Sequence, residues 1–173
     1  MNKLFLLGQV LSFTGATFLL FSIFSKNKKK MITLISLTCT FCALSNLVLG
    51  GYSGFIANSS MAIRHILEVT GKLTKTITFA ICIVIILFGL YFNKNSWIGI
   101  LPIIASVSLI ILTYYVKSVQ NMRAVLMLSV FLWGIFDFHI KAYPAFITDV
   151  STFLTSAFAY IKNINGNKEV AVS

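Results

Sequence analysis

Runs without a charged side chain follow one another down this chain and leave few folds open. Residues 4–24, 31–50, 76–92 and 97–116 carry no Asp, Glu, Lys or Arg. Each is near the roughly 20 residues that a helix needs to cross a hydrocarbon core about 30 Å thick. Hydrophobic residues make up 58% of the chain and charged ones 10%, against about 25% charged in soluble domains. A water-soluble core cannot hide that much apolar surface, so the solvent for most of it is lipid. The runs do not alternate apolar and polar residues, as the strands of a membrane barrel would. The expected class is an all-α integral membrane protein.

The net charge of +10 would suit nucleic acid if the basic residues formed a patch. They fall instead in short links between apolar runs, as at Lys28-Lys29-Lys30, which suits a membrane surface and no nucleic acid. Seven membrane helices are expected, at about 4–24, 31–50, 53–69, 76–92, 97–116, 122–140 and 143–161. A polar tail, 163–173, is expected to be disordered. With the N-terminus outside, the inner links and tail hold Lys26, Lys28, Lys29, Lys30, Lys72, Lys75, Lys117, Arg123, Lys162 and Lys168. The outer side holds Lys3, Lys94 and Lys141. That asymmetry orients the chain N-out and C-in.

A register runs through these segments. Tyr52, Phe55, Ile56 and Ser60 reappear 91 residues later as Tyr143, Phe146, Ile147 and Ser151. The same shift aligns Asn2-Lys3 with Asn93-Lys94, Gly8 with Gly99, Lys26 with Lys117 and Met31 with Met122, without a gap. Landmarks at turns and polar positions keep this register, which apolar composition alone does not produce. The reading is an internal repeat: a first three-helix unit over 1–72, a linker helix over 73–92 and a second unit over 93–162. Three helices are an odd number, so the fourth restores the orientation of the second copy. The result is a 3+1+3 parallel repeat about an axis along the membrane normal.

The stretch Leu49-Gly50-Gly51-Tyr52-Ser53-Gly54, with Ala62-Ile63-Arg64, the basic loop after the first helix and Trp133 in the sixth, resembles the YgjV family of small bacterial inner-membrane proteins. That resemblance implies a plasma-membrane location and little mechanism. More distantly, the layout is similar to the SWEET and PnuC transporters. In SWEET proteins the third and seventh helices carry substrate-facing asparagines, and Asn58 and Asp149 occupy comparable places. The Pro-Gln hinge of those transporters is missing: Pro102 is followed by Ile103 and its partner position is Leu11. A symmetric rocking mechanism is therefore not implied.

At the shift of 91, Asn46 falls on Asp137 and Asn58 on Asp149. The first copy carries amides where the second carries acids. A carboxylate at a helix centre costs about 2.5–3.5 kcal/mol on insertion scales, so Asp149 needs a partner or a polar cavity. It is either a functional acid or glue between helices. Asn46 and Asn58 are open to the same two readings. Asp137 lies nearer the helix end, where reaching water is the plainer role. Trp133, one turn before Asp137, is suited to stacking a ring or a cation, or is aromatic bulk. Arg64 and Glu68 form an i, i+4 pair that either closes the inner side of a pathway or snorkels. Cys39 and Cys42 form a C-x-x-C inside an apolar run, where two small packing residues are the better reading than a redox or metal pair. No nucleophile–base pair, phosphate loop or metal-ligand cluster stands in the sequence, so neither an enzyme nor a cofactor is expected.

Two functions stay open. One is a small-solute permease with Asn46, Asn58, Trp133, Asp137 and Asp149 lining a pathway that opens outward. Its partners would be the lipid bilayer and a small cationic or ring-containing solute. The other is a non-transporting accessory or assembly protein in which these residues make local helix pairs. A homo-oligomer is compatible with both.

Overall fold

The computed structural model describes residues 3–25, 27–94, 96–115 and 119–172, with side chains over 3–22, 24–25, 27, 29–94, 97–112, 124–158 and 160–161. Asn2, Lys26 and Lys117, and the side chains of Lys28, Met122, Arg123, Lys162 and Lys168, lie outside the described residues. Within them are seven α-helices and no strand. These are α1 (Lys3–Ile23), α2 (Lys28–Val48), α3 (Tyr52–Val69), α4 (Lys75–Tyr91), α5 (Leu101–Tyr115), α6 (Val119–His139) and α7 (Tyr143–Val172). Two stretches, Lys3–Ser22 and Lys29–Val48, are long and apolar enough to cross a membrane. Shorter apolar stretches occupy Lys75–Tyr91, Trp97–Leu112 and Ala124–His139. The all-helical class is as expected.

Local chemistry explains where the ends differ from expectation. The second helix begins at Lys28 rather than 31, because Asn27 caps it: its Oδ1 accepts from the Lys29 and Lys30 backbone N–H groups at 2.9 and 3.2 Å. The fifth run does not start as α-helix. Ser96–Ile100 is a 3-10 helix, and α geometry begins only at Leu101. Pro102 lacks an N–H, and its ring would clash with the carbonyl four residues back, so an α-helix cannot extend upstream of it. At the other end, α7 continues to Val172 through the segment expected as a disordered tail. No proline stands after Pro144 to stop it.

The helices close a ring in the order α1, α2, α3, α5, α6, α7 and back to α1, and α4 packs on α3 and α5 from outside. Apart from isoleucines such as Ile85, Ile103 and Ile110, the interior is built from small residues. Ala57 and Ala105 have no exposure, and Ser12, Ser45, Ser53 and Ser106 are buried. Large apolar side chains point the other way: Phe13, Phe24, Phe79 and Phe158 are 66, 81, 69 and 71% exposed. That pattern suits lipid, where burying a Phe against another helix gains little and close backbone approach gains more. Serines tie the ring together through backbone carbonyls. Ser45 donates to Gly8 at 2.8 Å, Ser36 to Ala62 at 3.2 Å and Ser129 to Ala105 at 3.4 Å. Between the ends of the chain, the Ala145 N–H donates to Ser12 Oγ at 3.0 Å.

The α2–α3 and α6–α7 turns have the same hydrogen bonds, 91 residues apart. Gly50 N–H reaches Leu47 O at 3.3 Å and Gly51 N–H reaches Asn46 O at 2.7 Å. In the second turn Lys141 N–H reaches Phe138 O at 3.1 Å and Ala142 N–H reaches Asp137 O at 2.8 Å. This is the Schellman arrangement, which needs a left-handed residue after the helix. Gly50 supplies it at φ 83° and Lys141 at φ 63°. A side chain in that region costs about 1–2 kcal/mol. Gln9 Nε2 donates to the Lys141 carbonyl at 2.6 Å and helps hold the strained turn. Gly50→Ala is expected to lower stability by about 1 kcal/mol, and Lys141→Gly to raise it by up to about that amount. Thermal unfolding of the detergent-solubilised variants measures both.

Candidate functional site

Asp137 stands two residues inside the end of α6 and Asp149 six residues after the start of α7. Their positions are offset along this antiparallel pair by about one turn. The structure also turns them to face one another: their carboxyl groups are hydrogen-bonding neighbours. Asp137 is 5% exposed. Asp137 Oδ1 and Asp149 Oδ2 are buried and have no further partner among the described residues. Asp137 therefore does not reach water, as its place near the helix end had suggested. The packing of α6 against α7 and of Phe136 beside it keeps it inside.

The pair borders a cavity of about 140 Å³ lined by Ala16 and Leu19 of α1, Thr38 and Cys42 of α2, Asn58 of α3, Trp133 and Asp137 of α6, and Ala145, Thr148 and Asp149 of α7. Four of the five residues expected to converge do so: Asn58, Trp133, Asp137 and Asp149. Asn46 does not line the cavity. It is 2% exposed, and its amide nitrogen packs so close to Gly54 that a Cβ there would sit 2.7 Å away. The sequence reading missed Thr38, Cys42 and Thr148. Cys42 was findable, since it stands at the register position of Trp133; the two threonines carry no such signal.

The lining is rich in acceptors, with the Asn58 amide and the Trp133 indole N–H as its donors. Thr38 Oγ1 donates to Leu34 O at 3.1 Å and Thr148 Oγ1 to Pro144 O at 2.8 Å. Each hydroxyl hydrogen is thus spent on its own helix, and the oxygen is left to accept. Two carboxyls and the Asn58 carbonyl add to these, and no basic residue is among the lining. Two carboxyls in hydrogen-bonding contact do not both ionise.

The end of the ring that carries the two turns is closed. Phe136, with no exposure, packs there with Ile140 and Ala142 against Leu49, Ile98, Leu101 and Ala145. Its ring meets Trp133 edge to face, 5.9 Å between centroids. It lies so near Gly54 that a Cβ there would be 2.5 Å from Cε1. The opening expected toward that end is therefore filled, by an aromatic side chain that has no counterpart in the first half, where Ser45 stands at the equivalent position.

Arg64 and Glu68 pair as expected, Nη1 to Oε2 at 3.6 Å, and His65 Nδ1 lies 3.8 Å from the same oxygen. None of the three reaches the cavity. Cys39, Cys42 and Cys82 are free thiols; Cys39 packs beside the α3–α4–α5 core.

A model of the family Imp-YgjV, described as bacterial inner membrane protein, matches residues 6–166. No curated protein and no solved structure matches. Phe136→Ala is expected to open the turn end: a thiol reagent that cannot cross membranes, applied from that side, should label Cys42 at least about tenfold faster than in the parent chain. Labelling followed by mass spectrometry gives the rate.

Proposed function

Because the chain belongs to the YgjV family of bacterial inner membrane proteins, we propose that it is a permease for small organic cations, with seven membrane-spanning helices in a 3+1+3 parallel repeat. The observation that carries this reading is the Asp137–Asp149 pair in an acceptor-lined cavity between α1–α3 and α6–α7. A buried carboxyl pair inside a membrane helix bundle is costly and marks a solute or ion path more often than packing. A cavity of about 150 Å³ accommodates a benzene-sized guest, and this one measures about 140 Å³. Trp133 offers such a guest a stacking face. The fitting substrate is a monovalent cation with one ring, or an amine of similar size.

The repeat has support in the ring itself. α2 and α6, Lys28–Val48 and Val119–His139, begin and end 91 residues apart, as do the starts of α3 and α7. The contacts α1–α7 and α3–α5 exchange under that shift, as a twofold relation demands. Lys and Arg place the N-terminus outside and the C-terminus in the cytoplasm, which puts the Phe136 plug at the outer end. No catalysis is proposed, and no cofactor.

The accessory-protein reading rests on one observation: the carboxyl pair joins two neighbouring helices and could serve as their fastener. Charge removal separates the two. Asp149→Asn keeps the size and hydrogen bonding. Under the permease reading it folds and inserts, yet uptake of labelled benzylammonium into proteoliposomes falls by at least about tenfold, the loss of roughly 1.4 kcal/mol. Unchanged uptake, together with a more stable Asp149→Leu, would favour the fastener. Orientation is checked by Lys29→Cys, which an impermeant thiol reagent should label only from the cytoplasmic side of the membrane.

A further inference from the structure

Asp149 faces two spaces. One is the central cavity. The other is a groove of about 430 Å³ on the outside of the ring between α6 and α7, whose lining includes Val130, Gly134, Phe146, Asp149, Val150 and Leu154. The groove is framed by two aromatic pairs that bridge the helices. Phe131 and Phe153 stand 6.1 Å apart, and Phe138 and Phe146 stand 5.3 Å apart, between centroids. Between the two pairs the α6 wall drops to Gly134. A Cβ there would lie 3.6 Å from Asp149 Cβ and 3.9 Å from Phe146 Cδ2, so the Asp149 side chain stands directly behind the glycine. The first half lacks the acid and the aromatic frame. At the equivalent positions Ala43 replaces Gly134, Asn58 replaces Asp149, and Thr40 and Ala62 replace the Phe131–Phe153 pair.

We propose that this groove is a lateral portal through which an amphiphilic organic cation reaches the carboxyl pair from the bilayer, its apolar tail lying in the groove. The inference rests on the permease reading and adds the substrate class and its route. The chemistry is complementary along the whole path. The groove walls are apolar and aromatic, and Phe138, Phe131 and Leu154 are 60, 53 and 60% exposed, toward lipid. Aromatic faces at the frame attract a cation. At the floor, Asp149 Oδ2 is buried and unpartnered among the described residues, so an ammonium that arrives there gains a charge-assisted hydrogen bond. Beyond it lies the ring-sized cavity. A secondary ammonium with a ring on one side and a tail on the other would place the ring against Trp133, the nitrogen at the carboxyl pair and the tail in the groove. Phe136 fills the turn end, and the groove offers another approach to the pair.

The test uses the full chain in lipid nanodiscs and displacement of labelled benzylammonium. Unlabelled N-hexylbenzylammonium should displace it at a concentration at least about tenfold lower than unlabelled benzylammonium does. Gly134→Ala, whose methyl meets only ordinary contacts, should keep that advantage. Gly134→Leu fills the window and should abolish it while leaving benzylammonium affinity within about twofold. Partition of the hexyl compound into lipid is the same for every variant and cancels in this comparison. Should Gly134→Leu fail to fold, Val150→Phe fills the groove from the α7 wall and carries the same expectation. An advantage that persists in the filled variant overturns the portal. So does loss of a copurified phospholipid from that variant with the advantage retained, since the groove is then a lipid seat. If benzylammonium fails to bind the parent chain, or binds Asp149→Asn equally well, the permease reading itself fails and the portal falls with it; benzylammonium binding that depends on Asp149 without a groove effect removes the portal alone.

Discussion

The bilayer offers no water to an unpaired polar group, and everything in this fold follows from that constraint. Backbone groups find partners within helices. Serine hydroxyls find them on neighbouring backbones, as Ser45 does at Gly8 and Ser129 at Ala105. Hydrophobic contact between helices gains little when lipid tails are equally apolar, so tight fit takes over. Gly15 shows how tight: a Cβ there would lie 2.9 Å from Cys42 Sγ. The large side chains are left to the lipid. The core accordingly mixes alanine, serine and glycine with isoleucine, and Phe136 is its one fully buried aromatic ring among the described residues.

Against that background a carboxyl pair is the most expensive feature in the chain, and the fold isolates it with care. Asp137 and Asp149 meet because a short Schellman turn makes α6 and α7 neighbours. Acceptors from α2, α3 and α7 surround them, and a single aromatic plug separates them from the turn end. The α2–α3 and α6–α7 turns share their geometry but not their chemistry. The first half has amides and a serine where the second has acids and Phe136. That difference is the basis of the proposed cation path.

Several parts of this were legible in the sequence. Low charge and runs of spanning length gave the all-helical membrane class. Gly50-Gly51 marked a turn, and the shift of 91 carried it to Lys141-Ala142, where no glycine announces it. Convergence of Asn58, Trp133, Asp137 and Asp149 was legible in outline, because the two turns make neighbours of the helices that carry them. Asn46 and Asn58 are placed about their own turn as the acids are about theirs, yet only Asn58 reaches the cavity. Asn46 is held against Gly54 beside Phe136, a residue from the other half of the chain. No local pattern contains that information. The 3-10 start at Ser96 was missed although Pro102 stood in view, since an apolar run was weighed above the proline.

The division has a physical cause. Transfer of side chains from water to lipid is nearly additive along the chain, so composition and run length by themselves determined the class and the number of helices. Hydrogen bonds across a turn are local, so residue type at a few positions determined where helices end. The rotation of each helix about its own axis is neither additive nor local. It is set by which small residues meet across the ring, and a rotation of one residue, about 100°, would turn Asp149 from its partner to the lipid. Only the tertiary structure decided that Asp137 and Asp149 touch, that Phe136 closes one end of the cavity, and that Gly134 leaves the acid open to a groove on the membrane side.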